Sequence, residues 1–123
     1  MGIKHLEPVG IVVDDLAAAT AFFVELGLEV QGEAAVEGDW VERIVGLSNM
    51  KVDIAMLEAP GGRGGIELVK FHSPEGPAVE PQAPANVPGI RHLAFVVDNV
   101  DESVDRVRDH GAELIGTIEE YEG

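Results

Sequence analysis

Cysteine is absent from all 123 residues, which rules out a disulfide framework and any thiolate metal site. Lysine is nearly absent too, occurring only as Lys4, Lys51 and Lys70. Eight basic side chains face 23 acidic ones, giving a formal net charge of −15. Nucleic-acid binding needs clustered Lys and Arg to attract phosphates, so that class of partner is excluded. No apolar run approaches the length needed to span a bilayer, and Met1-Gly2-Ile3-Lys4-His5 lacks the apolar stretch of a secretory signal. No Ser or Thr follows Met1-Gly2 where a myristoylation signal wants one. No membrane association is expected, and a cytoplasmic location is the default. Aromatic residues are few, at 5%, but 46% of the chain is apolar, which suits one globular domain with an ordinary core. The acidic excess has two readings: solubility, or a groove that attracts a cationic ligand.

What the chain does contain is a repeat. Val9-Gly10-Ile11-Val12-Val13-Asp14-Asp15-Leu16 returns 84 positions later as Leu93-Ala94-Phe95-Val96-Val97-Asp98-Asn99-Val100. The phase holds to Gly27-Leu28-Glu29-Val30, which returns as Gly111-Ala112-Glu113-Leu114. An internal duplication fixes the fold reading before any single residue does. In the first copy, residues 8–13 read as a buried strand. Asp14 and Asp15 offer N-caps to a helix over 16–26 whose Leu16, Ala19, Phe23 and Leu26 share a face, and Gly27 stops it. In the second copy the pattern predicts a strand over Arg91–Val97 and a helix over Val100–His110. Asn99 and Glu102 form a capping pair there, and a strand follows over Ala112–Ile118.

The first copy continues with a strand reading at Val41–Leu47, an alternating strand at Val52–Leu57, turn chemistry at residues 59–65 and a strand at Ile66–Phe71. Five of the seven prolines fall between Ser73 and Gly89, which reads as an extended linker. The expected organisation is a first βαβββ module over 1–72, a Pro-rich linker over 73–89 and a partial second module over 90–123. Counterparts of the last two strands fall beyond Gly123, so the second module is expected to be incomplete. Truncation, disorder, or completion by another chain would each account for it.

Paired modules with these landmarks resemble the vicinal oxygen chelate superfamily, which includes glyoxalases, epimerases, extradiol dioxygenases and bleomycin-resistance proteins. The resemblance rests on residues 9–16, Phe22-Phe23 with Leu26-Gly27, Ile66-Glu67-Leu68, and Gly89-Ile90-Arg91-His92-Leu93-Ala94-Phe95. It implies an α+β fold in which paired βαβββ modules form a curved-sheet cup, usually within a homodimer. It further implies metal ligands on the first and fourth strands of each module. Carried onto this sequence, those positions are Glu67 and His92, while the counterpart of His92 is Pro8, which has no donor atom. The fourth position falls near 151. Two ligands hold a divalent ion poorly.

Strand alternation puts His92, Ala94 and Val96 on one face and Leu93, Phe95 and Val97 on the other, toward the helix. By the same count Pro8, Gly10 and Val12 share the cup side, and so do Glu67, Val69 and Phe71. A solvated strand-end histidine and an exposed strand carboxylate are the ordinary alternatives for His92 and Glu67. His5 is close enough to Pro8 to replace it as a ligand. His72 points away from Glu67, and His110 suits a helix C-terminus. Trp40, Met56 and Arg43 are candidate substrate contacts, with core packing and surface pairing as their ordinary roles. Two functions fit. In the first, a metal-dependent lyase, isomerase or epimerase holds Zn, Ni, Co, Mn or Fe with Glu67 and His92, and Glu67 also moves the proton. In the second, a metal-free binding protein sequesters a cationic or aromatic molecule. Extradiol chemistry needs two His and one Glu, a set that Pro8 breaks.

Overall fold

The computed structural model describes residues 2–78 and 83–120. Residues 79–82 of the Pro-rich stretch and 121–123 at the end of the second copy lie outside the described residues, as does Met1. Chain order runs β1 (Val9–Val12), α1 (Leu16–Leu26), β2 (Glu29–Glu37), α2 (Asp39–Val45), β3 (Lys51–Glu58), β4 (Gly65–Ser73) and α3 (Val100–Arg108). The four strands form one curved, open sheet in the order β1-β4-β3-β2, with three helices in an α+β arrangement. β1 runs parallel to β4, and α1 makes the crossover at the start of the chain. β2, β3 and β4 pair antiparallel.

The local signals for α1 work as the sequence suggests. Asp15 is its N-cap, accepting from the Ala18 N–H at 3.0 Å, and the Gly27 N–H closes the last turn on the carbonyls of Phe23 and Val24. Leu16, Ala19 and Phe23 then rest on a core of Leu28, Ala55, Leu57, Ile66 and Leu68, which Ile11 and Val13 flank. Leu57 and Leu68 are fully buried, each worth about 1.5–3 kcal/mol in apolar burial. Asn99 caps α3 by accepting from the Glu102 N–H at 2.9 Å. α3 packs against α1, and Phe95 sits beside Phe23 with ring centroids 6.3 Å apart.

Three strand expectations need correction. Val41–Leu47 is not a strand, since residues 39–45 form α2. Asp39 and Glu42 in the first turn and Arg43 in the last complement the helix dipole. Gly46, at φ 80°, ends the helix by donating to the Glu42 carbonyl at 2.8 Å. These terms, together with packing of α2 against β2, outweigh the β-branched Val41, Ile44 and Val45. Arg91–Val97 and Ala112–Ile118 are also not strands among the described residues. A ladder needs a hydrogen-bonded neighbour, and neither segment has one among the described residues. The alternation expected for 93–97 nevertheless survives, because Phe95 turns toward α1 while Val96 is fully exposed.

One glycine is held by a close approach. A Cβ on Gly65, where β4 begins, would lie 2.4 Å from the Leu57 carbonyl oxygen. Backbone on β3 cannot move aside without breaking the β3–β4 ladder. Gly65→Ala should therefore destabilise the protein by about 1–3 kcal/mol in urea unfolding, the usual range for overpacking. An unchanged midpoint would mean that this end of the ladder is loose.

Candidate functional site

The sheet has two faces, and α1 covers only one. Alternation along each strand turns the residues between the core positions to the other, inner face. Val12, 66% exposed between the half-buried Ile11 and Val13, shows this on β1. Strand register then fixes which inner-face side chains lie side by side. Gly10 pairs with Glu67, Glu67 with Met56, and Met56 with Gly32. The next row is Val12, Val69, Ile54 and Ala34, and Phe71, Val52 and Val36 follow beyond it. Glu67 is the one ionisable side chain within these three rows, and the row on its other side brings Glu58, paired with Gly65 and Glu29, to the same face.

Glu67 is half-buried on β4, between Gly10 and Met56. Among the described residues no Lys, Arg or His pairs with its carboxylate. Every other histidine near an acid is engaged elsewhere: His5 with Glu7 at 2.8 Å, His72 with Asp53 at 2.7 Å, and His110 3.9 Å from Glu25. His72 and Asp53 lie on the α1 side of the sheet, the side opposite Glu67, as strand alternation suggests. A carboxylate left among apolar neighbours without a cation is costly, and a ligand that brings positive charge would offset that cost.

Of the residues singled out from sequence, Glu67 and Met56 are brought together as register partners. His92 is exposed and lines a separate groove of about 380 Å³ between residues 9–12 and 90–93. Gly10 joins the two places, since it lines that groove and is also the partner of Glu67. Trp40 and Arg43 ride on α2, which packs on β2, and both side chains are exposed. Ile54, Ala34 and Gly32 complete the inner face and were not among the candidates. Alternation through Met56 could have found Ile54. The irregularity between Val30 and Gly32 hides the phase of β2 from any count along the sequence.

The donor set can be tested against a divalent metal. A working site takes three protein ligands with an open position. Glu67 supplies a carboxylate and His92 an imidazole, whereas Pro8, half-buried where a third donor would stand, supplies nothing. Among the described residues no group of three or more His, Cys, Asp or Glu side chains could hold a metal ion. The described residues alone do not fit a divalent metal. No helix among them is long and apolar enough to cross a membrane.

A family profile described as the glyoxalase/bleomycin resistance protein/dioxygenase superfamily matches residues 8–123. Two relatives are each 31% identical and uncharacterised. YaeR of Escherichia coli (strain K12) aligns over 111 residues, 89% of this chain and 74% of its own length. YwkD of Bacillus subtilis (strain 168) aligns over 114 residues, 92% of this chain and 77% of its own length. A crystal structure of a glyoxalase family protein from Bacillus cereus superposes with a TM-score of 0.93 at 41% identity, covering 99% of this chain and 82% of that one.

Proposed function

Because this chain belongs to the glyoxalase/bleomycin resistance protein/dioxygenase superfamily, we propose that the inner face of its sheet is a small-molecule site, with Glu67 as the polar anchor for a cationic ligand. The carrying observation is the half-buried Glu67 carboxylate, unpaired among the described residues, with Gly10 and Met56 as its register partners and Glu58 in the next row. Apolar contact from Val69, Ile54 and Met56 supplies affinity, and the carboxylate supplies orientation and charge selection. The net charge of −15 raises the local concentration of cations around the whole molecule. A homodimer belongs to this reading, supported by the exposure of Ile90, Val96 and Ile115.

The test is titration with N-methylpyridinium, a one-ring cation, at low and high salt. Affinity should fall as salt rises, because part of the attraction is long-range. Glu67→Gln should weaken binding about tenfold or more, the range for a desolvated charge contact. Equal affinity in wild type and Glu67→Gln would end this reading.

Metal-dependent lyase, isomerase or epimerase chemistry is the second reading, favoured by the groove that sets His92 beside Gly10, the partner of Glu67. A bound Zn, Ni, Co, Mn or Fe ion would polarise neighbouring substrate oxygens. In that case Glu67 would hold or move the proton. This reading requires a donor beyond Glu67 and His92.

A further inference from the structure

We propose that residues 38–50 form a lid, in which α2 swings about Gly38 and Gly46 and closes its apolar side onto the inner face of the sheet. The two feet of this segment stand on neighbouring strands, because Glu37 at the end of β2 pairs with Lys51 at the start of β3. A segment held by two adjacent feet has one easy motion, rotation about the line that joins them. Gly38 and Gly46 flank α2 with φ of 118° and 80°, and glycine changes backbone conformation at little steric cost. Past Gly46 the return foot is fixed, since the Ser73 hydroxyl donates to the Asn49 carbonyl at 2.6 Å.

Little else holds α2 in place. None of its side chains is buried, and among the described residues no ion pair or side-chain hydrogen bond ties residues 39–45 to another element. No Cα of α2 comes within 8 Å of β3, β4 or α1, and β2 is the strand it approaches. A groove of about 650 Å³ opens between Glu42 on α2 and Lys51, His72 and Ser73. Trp40 and Ile44, one turn apart, are 57% and 74% exposed, and Leu47 beyond Gly46 is 43% exposed. Contact of that apolar surface with water is unfavourable, and a short rotation removes it.

The two faces of the sheet differ in what they offer this helix. On the α1 side, the positions nearest the feet are Glu37, Lys51, Asp53, Lys70 and His72. Apolar side chains laid there would strip water from charges. On the inner side the first row is Val36, Val52 and Phe71, and the second includes Ala34, Ile54 and Val69. Val52 is already buried, so the second row is the surface left to cover. Lengths agree with this. Ile54 is three residues inside Lys51, about 10 Å along the strand, and the seven residues of α2 span about 10 Å of helix. Ile44 therefore comes down over Ile54 in the closed form. The role as a lid rests on the inner face being the ligand site, but apolar contact drives the closure and Glu67 need not be an anchor.

The absence of cysteine makes closure testable by trapping, because an introduced pair meets no competing thiol. A disulfide needs Cα atoms within about 7 Å of each other, so none can join α2 to β3 in the open form. The pair Ile44→Cys/Ile54→Cys should form an intrachain disulfide in a glutathione buffer. Ile44→Cys/Asp53→Cys, about as far from the feet but on the α1 side, should form it at least about tenfold less. Ile44→Cys/Val69→Cys, aimed at the same row from β4, should behave like the first pair and serves if the change at Ile54 unfolds the chain. Trp40, the one tryptophan, reports the same event: its quenching by acrylamide should fall on oxidation and recover on reduction.

If the inner-face pairs stay reduced in the folded protein, or the Asp53 pair oxidises as readily, α2 does not close on the inner face. A disulfide between two chains in place of the intrachain bond would overturn the lid and assign the apolar side of α2 to a second copy. So would an oxidised pair that leaves Trp40 as open to acrylamide as before. Equal N-methylpyridinium affinity in wild type and Glu67→Gln, by contrast, would end the anchor and leave the closure standing.

Discussion

Leu68→Ala should lower the stability of this protein by about 3–5 kcal/mol, the upper part of the range for truncating a buried leucine. Leu68 is fully buried at the centre of the core. Its register partners explain why the cost should be high. On β3 it faces Ala55, and on β1 it faces Ile11. Alanine has no side chain to lean into the space that leucine would vacate, and the parallel β1 strand is fixed by its ladder. The cavity should therefore persist rather than collapse. Domains of this size have about 5–15 kcal/mol in total, so the loss would take a large share. Urea unfolding followed by circular dichroism should show the midpoint fall by about 1–3 M at an unchanged slope. A shift below about 1 kcal/mol would mean that Leu68 is not central to the core.

The second large effect is a gain. Pro8→His should raise divalent-metal affinity above that of wild type. Pro8 precedes β1, and alternation places it on the same inner face as Gly10, the register partner of Glu67. A histidine there would stand diagonally from Glu67 on the neighbouring strand, about 7–8 Å away between backbones, close enough for two long side chains to converge. With His92 along the adjoining groove, two imidazoles and one carboxylate would become available, a familiar set for Zn, Ni and Fe. Competition against a chelating dye should show Zn or Ni bound at least about tenfold more tightly than by wild type. Adding Glu67→Gln to the variant should abolish the gain. If wild type already holds metal as tightly as Pro8→His, other donors complete the site and the metal-dependent reading takes precedence.

The two predictions draw on different kinds of information. The core residue Leu68 and the anchor Glu67 are neighbours in sequence, and their roles separate because successive strand residues point to opposite faces. Glu67 with Val69 and Phe71 on one face and Leu68 on the other was legible from period two alone. So were the caps at Asp15 and Asn99, and the resemblance carried by residues 9–16 and 89–95. The status of His92 was less legible. Its counterpart relation to Pro8 is plain in the repeat, but a repeat says which positions correspond, not which meet. In the structure His92 lies along β1 rather than paired in a ladder, so its approach to Glu67 runs through Gly10.

Sequence by itself determined the α+β class, the position of α1 and α3 with their caps, the core face, and the family. These follow from interactions between residues a few positions apart, or from periodicity that survives in any context. Tertiary structure decided the rest. It made residues 39–45 a helix despite three β-branched side chains, because capping, charge placement and packing against β2 are settled together. It also set Gly10, Met56 and Gly32 in one row with Glu67, since strand register depends on hydrogen bonds between segments that are far apart along the chain.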